Sequence, residues 1–170
     1  DRPQKGRYRE FYQCDVDVIG SESLLYEAEL VQIYDEAFAK MRLPVVIKIN
    51  NRKVLYGIAE AAGIVDRFMD MTVAIDKLDK VGMDGVRKEL GERGIPETAI
   101  AILEKTLQTP DIQSLKPIFA NSETGLKGLE ELEQVLRLLS KTNLTNEIRF
   151  DITLARGLSY YTGCIFEVSA

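Results

Sequence analysis

Glu147-Ile148-Arg149-Phe150-Asp151-Ile152-Thr153-Leu154-Ala155-Arg156-Gly157 returns the chain to strands after a long helical stretch. Ile148, Phe150, Ile152 and Leu154 alternate with Arg149, Asp151, Thr153 and Ala155, the period of a half-buried strand. Cys164 to Val168 is a second strand-like run, so residues 156–167 are expected to form a hairpin. Working outward, Val45-Val46-Ile47-Lys48-Ile49-Asn50 is another strand. From Phe11 onward a polar face (Gln13, Asp15, Asp17) alternates with an apolar one (Tyr12, Cys14, Val16, Val18). Strands near both ends with helices between indicate an α+β fold. Its mostly antiparallel sheet is flanked by helices and interrupted by an all-α insertion. The expected division is 1–63, 64–145 and 146–170.

The helices follow from apolar spacing. Leu24, Ala28, Val31, Tyr34, Phe38 and Met41 recur at steps of three and four, predicting a helix within 20–42. Asn50 or Asn51 is placed to cap a short helix running to Ala62. Further helices are expected near 70–81, 84–93, 96–108 and 124–141, broken at Gly82, Gly94-Ile95-Pro96, Thr109-Pro110 and Asn121-Ser122-Glu123. This block is expected to build its own small core.

Composition excludes several classes. Histidine is absent, which removes Ser-His and Cys-His mechanisms and the commonest metal ligand. Cys14 and Cys164 are far apart, so no zinc site is expected. The net charge is −5, which gives no global basic field for nucleic acid. No apolar run approaches the ~18 residues of a membrane span. The setting is expected to be cytoplasmic. Neither Gly-x-x-x-x-Gly-Lys-[Ser/Thr] nor Gly-x-Gly-x-x-Gly occurs, so any nucleotide phosphate must meet arginines directly.

Two segments could carry chemistry. Arg156 follows a strand, with Gly157 and Gly163 available for close approach or positive φ, and Tyr160 and Tyr161 supply hydroxyls. An ordinary hairpin with a surface arginine fits the same residue types. Lys5-Gly6-Arg7-Tyr8-Arg9-Glu10-Phe11 is a basic loop with interleaved aromatics, suited to a phosphate chain and a stacked base. A solvated charged loop is the alternative.

Resemblance decides between these readings. Arg2-Pro3-Gln4-Lys5-Gly6-Arg7-Tyr8-Arg9-Glu10-Phe11-Tyr12-Gln13-Cys14-Asp15-Val16-Asp17 resembles the second half of class II motif 2 as histidyl-tRNA synthetases carry it. Leu154-Ala155-Arg156-Gly157-Leu158-Ser159-Tyr160-Tyr161-Thr162-Gly163 resembles the histidine-specific signature of that family and its close paralogues. The resemblance implies ligation of L-histidine to its tRNA through histidyl-adenylate, with ATP as substrate and Mg²⁺ accompanying it. It implies that Arg156 is catalytic, stabilising charge at the α-phosphate and the carboxylate. Gln13, Asp17, Arg156, Tyr160 and Tyr161 would bind histidine; Arg7 and Phe11 would bind ATP; Lys5 and Arg9 would approach the tRNA acceptor end. No residue is implied as a metal ligand. The resemblance also implies a homodimer. Paired hydrogen bonding to both imidazole nitrogens can reject analogues lacking one by ~10⁴–10⁵.

The chain departs from the pattern at Ser159, where Asp is common, and at Asp17, where many members have Glu. Motif 1, the first arginine of motif 2, motif 3 and the anticodon-binding domain have no counterpart. The sequence is therefore expected to be a fragment that is inactive alone. The alternative is a non-catalytic paralogue such as the regulatory subunit of ATP phosphoribosyltransferase.

Overall fold

Ser23 starts the first helix by accepting the Leu25 N–H at its hydroxyl, and α1 runs Leu24–Lys40. The computed structural model describes residues 8–109, 111–157 and 160–170. After Pro44 comes β1 (Val46–Asn51), and Asn51 Oδ1 accepts the Lys53 N–H at 2.9 Å to cap α2 (Arg52–Ala62). Gly63 ends α2 at φ 70°, a left-handed value that glycine adopts freely. A 3₁₀ turn (Val65–Arg67) leads into α3 (Phe68–Ile75), α4 (Leu78–Glu92), α5 (Glu97–Leu107), α6 (Ile112–Leu115) and α7 (Glu123–Leu139). The chain then forms β2 (Glu147–Phe150) and β3 (Cys164–Ser169). None of the helices described is long and apolar enough to cross a membrane.

The α+β class holds, with a sheet of order β2-β1-β3. β1 pairs antiparallel with β3 through six register pairs and parallel with β2 through four, so antiparallel pairing predominates but is not universal. Among the described residues β2 and β3 do not pair as a hairpin, because both pair with β1 and lie on opposite sides of it. β2 stops at Phe150: Asp151 Oδ1 accepts the Thr153 N–H at 3.0 Å, and this side-chain turn ends the ladder.

The strand expected from Phe11 does not form. Residues 8–20 are exposed and join no ladder among the described residues. Alternation fixes which face would be buried but supplies no partner, and an unpaired strand leaves its backbone groups to water.

Nor do the helices after residue 63 keep a core to themselves. One continuous buried cluster runs from Ile47 and Ile49 through Leu55 and Ile58 to Leu103, Phe119 and Leu132. Helix α7 lies against α2, α1 and β1. A Cβ built on Gly57 would stand 2.7 Å from the Gly125 Cα, so α2 and α7 meet backbone to backbone. Within α4, Gly82 adopts φ 68° and kinks the element at the break expected from sequence.

Asp35 joins α1 to the strand side. It is 6% exposed and accepts the Thr145 and Asn146 N–H groups and the Asn146 Nδ2. Burial pushes its carboxyl up, but these donors outweigh burial and hold it below the ordinary carboxylate range. A depressed folded-state pKa contributes stability above the unfolded value of about 3.9, and that contribution is lost as pH falls through the folded value. Asp35→Asn is therefore expected to cost about 1–2 kcal/mol at neutral pH. In urea titrations the gap from wild type should close as pH drops below about 4. A gap independent of pH would contradict the assignment.

Candidate functional site

The turn after β2 is held from below by two residues at the β1–α2 junction, Asn50 and Arg52. Asn50 is fully buried, and its Nδ2 donates to the Ile152 and Leu154 carbonyls at 3.1 and 3.0 Å. Arg52 Nη1 donates to the carbonyls of Ala155 and Arg156 at 3.3 and 3.2 Å. The Arg52 N–H donates to the Gly163 carbonyl at 2.8 Å, where β3 begins. Asn51 Nδ2 reaches Glu131 Oε2 on α7 at 2.9 Å, and Lys53 pairs with the same carboxylate.

On this base sits Arg156, at φ 47°. The left-handed residue in this turn is the arginine itself, whereas neither Gly157 nor Gly163 has positive φ. Arg156 Nη1 donates to Glu167 Oε2 on β3 at 3.1 Å, with both side chains part exposed. Burial opposes its charge, but Glu167, Tyr161 and Asp76 outweigh burial and raise its pKa above the ordinary arginine value. The Tyr160 and Tyr161 rings lie 4.6 Å apart, tilted by 37°, with Tyr160 exposed and Tyr161 half-buried.

Lys48 on β1 pairs with Asp151 at 2.9 Å. That hydrogen bond raises the Lys48 pKa, burial opposing. Burial likewise pushes Asp151 up, but Thr153 and Lys48 overcome it and lower the carboxyl. Lys48, Asp76, Asp79, Asp151 and Glu167 line a cavity of about 50 Å³, room for a water or two and far too little for a nucleotide. A larger cleft of about 720 Å³ opens between α1, α7 and the start of β3. Its walls include Glu22, Glu27, Glu130, Glu131 and Cys164. Burial, then Glu131, raises the Glu27 pKa. Burial, with Glu27 and Glu131, pushes the Cys164 thiol up to about 12. The thiol is therefore protonated at neutral pH and no nucleophile.

The residues expected from sequence divide into three groups. Arg156, Tyr160 and Tyr161 lie near enough for their charges to act on one another. Arg9, Phe11, Gln13 and Asp17 are exposed, and the described hydrogen bond of Gln13 is local, to Asp15 Oδ1 at 2.9 Å. Lys5, Arg7 and Ser159 lie outside the described residues. Among the described residues no group of three or more carboxylate, cysteine or histidine side chains could hold a metal ion. Sequence reasoning missed Asn50, Arg52 and Glu167. The run Asn50-Asn51-Arg52-Lys53, four polar residues directly after an apolar strand, is the signal that could have found the first two.

Comparison with known proteins supplies the family. The chain matches the profile described as Histidyl-tRNA synthetase over residues 1–170. It is 59% identical over 175 residues to a histidine–tRNA ligase of Bacteroides fragilis strain YCH46, covering 100% of this chain and 38% of that protein. The chain thus spans well under half the length of the curated relatives it matches. The crystal structure of histidyl-tRNA synthetase from Nostoc sp. PCC 7120 superposes with a TM-score of 0.79 at 29% identity, covering 88% of this chain and 37% of that one. An ATP phosphoribosyltransferase regulatory subunit/histidyl-tRNA synthetase from Bacillus halodurans C gives a TM-score of 0.69 at 16% identity, covering 88% and 40%, and that likeness concerns the fold alone. With its whole length matched by that profile, the chain belongs to the histidyl-tRNA synthetase family.

Proposed function

We propose that the protein carrying this chain ligates L-histidine to its tRNA at the expense of ATP. The observation that carries the proposal is the half-exposed Arg156 within electrostatic reach of the Tyr160–Tyr161 ring pair. A histidine carboxylate oxygen attacks the α-phosphorus of ATP, the bond to the bridging oxygen breaks, and pyrophosphate leaves with its electron pair. The terminal ribose hydroxyl of the tRNA then takes the histidyl group, and AMP departs. Adenylyl transfer needs charge neutralisation and in-line positioning more than acid–base groups, so a chain without histidine can support it.

In this reading Arg156 bridges the substrate carboxylate and the α-phosphate. Asp17 accepts from one imidazole N–H, a tyrosine hydroxyl serves the other nitrogen, and Gln13 holds the amino-acid end. Phe11 stacks on adenine, Arg7 meets the phosphates, and Lys5 and Arg9 approach the acceptor stem. Magnesium accompanies ATP. The protein acts as a cytoplasmic homodimer, with 64–145 as a helical insertion between two catalytic segments. The curated relatives at 50–59% identity are all named histidine–tRNA ligase, which favours this reading over a regulatory paralogue.

Histidine plus ATP should raise the melting temperature of the full-length protein, and histidine should drive exchange of pyrophosphate into ATP. Absence of both would sink the proposal. The 170 residues alone should show no exchange, because Phe11, Gln13 and Asp17 lie exposed instead of closing on Arg156. Turnover like that of the full protein would refute this.

A further inference from the structure

Arg52 occupies a position that local rules disfavour twice. It is 6% exposed, and a buried cation is costly unless it is paired. It is also the first residue of α2, where the helix dipole opposes positive charge. Among the described residues it forms no salt bridge. Its guanidinium instead spends its donors on the Ala155 and Arg156 carbonyls and on Met69 Sδ at 3.3 Å, with the Phe68 ring 4.5 Å from its centre. A residue that breaks local preference without an evident gain in packing marks a functional constraint.

The gain lies at Arg156. An L residue at φ 47° rarely holds that conformation unless its surroundings dictate it. Two carbonyls held by the two hydrogens of one nitrogen, Nη1, define the orientation of the 155–156 and 156–157 peptides, and hence the direction in which the Arg156 side chain leaves the turn. Asn50, beneath the same turn, fixes the two carbonyls upstream, Ile152 and Leu154. Lysine at position 52 could donate to both carbonyls, but it lacks the planar guanidinium whose contacts with Phe68 and Met69 fix Nη1 in place.

We infer that Arg52 is a positioning residue: it holds the backbone at Arg156 in its left-handed conformation and so aims the Arg156 guanidinium for the reaction. This rests on the function proposed above. It differs from a merely structural role, because Arg52 should affect catalysis only through Arg156.

The test is a double-mutant cycle in the full-length protein, with Arg52→Met and Arg52→Lys each made in wild-type and Arg156→Ala backgrounds. In the wild-type background, Arg52→Met should lower kcat for histidine-dependent pyrophosphate exchange about 10- to 100-fold, with KM for histidine and ATP changing less than about 3-fold. Arg52→Lys should fall between. In the Arg156→Ala background, either change should cost less than about 2-fold, since the group being aimed is gone. Losses that multiply would overturn the inference, as would failure of both Arg52 variants to fold. Limited trypsin digestion gives a readout free of activity. Cleavage after Arg156 should quicken about 10-fold in Arg52→Met, while cleavage after Lys40 stays unchanged. Equal acceleration at both bonds would overturn the tether. If wild type shows no exchange, the functional reading fails, and the digestion alone decides whether Arg52 holds the turn.

Discussion

Arg156→Ala in the full-length protein is expected to lower histidine-dependent pyrophosphate exchange by about 10³-fold, within the range for removing a group that meets charge developing in a transition state. The fold should survive. The side chain is part exposed, and its ion pair with Glu167, similarly wetted, contributes little to stability. Alanine must still adopt φ 47°, but Arg156 already bears that strain, so the melting temperature should move by only a few degrees. Arg156→Lys keeps the charge and loses the fork, and should recover about a tenth of the activity or less. Near-normal exchange in the alanine variant would remove Arg156 from the reaction.

Gly57→Val is expected to destabilise the fold by about 3 kcal/mol, at the upper end for forcing atoms into a packed core. Two terms compete. Replacing glycine inside a helix gains a few tenths of a kcal/mol for valine and about 1 kcal/mol for alanine. Against that, the new Cβ would lie 2.7 Å from the Gly125 Cα and 3.3 Å from the Phe119 ring. The nearest atom is backbone, which cannot swing aside, so α2 and α7 must separate and open the core around Phe119. Gly91→Ala in α4 is the control, since a Cβ there meets nothing within 4 Å and φ is not positive. It should stabilise by about 0.5–1 kcal/mol. Urea unfolding of both variants decides the matter, and a neutral Gly57→Val would mean that the two helices are not in backbone contact.

Features that depend on neighbours along the chain were legible in the sequence. The cap at Asn51, the kink at Gly82 and the helices at 97–107 and 123–139 follow from residue type and a period of 3.6. The one-turn α6 is too short to show a period and was missed. Pairing partners were not legible. Alternation at 148–154 states which side chains share a face, yet says nothing of which strand lies alongside, so β1 between β2 and β3 could not be foreseen. The same limit explains residues 11–18, whose pattern is strand-like and whose ladder is absent. Of the candidate site, Arg156 and the tyrosines could be proposed from sequence because they stand close together in it. Arg52 could not, since a cation opening a helix after a strand looks like any solvated residue until the fold buries it.

The order β2-β1-β3 also has a consequence in time. The central strand is made first and must wait for both neighbours, the nearer beginning at Glu147. At translation rates of about 5–20 residues per second, that wait is roughly 5–20 s. Throughout it, Ile47 and Ile49 have helices to pack on but no ladder. A nascent chain halted before Glu147 should hold helical structure with an unpaired apolar segment, a natural client for a chaperone. The turn bearing Arg156 can be set only once that segment has entered the sheet between β2 and β3, so its geometry is acquired after the helices that lie between β1 and β2.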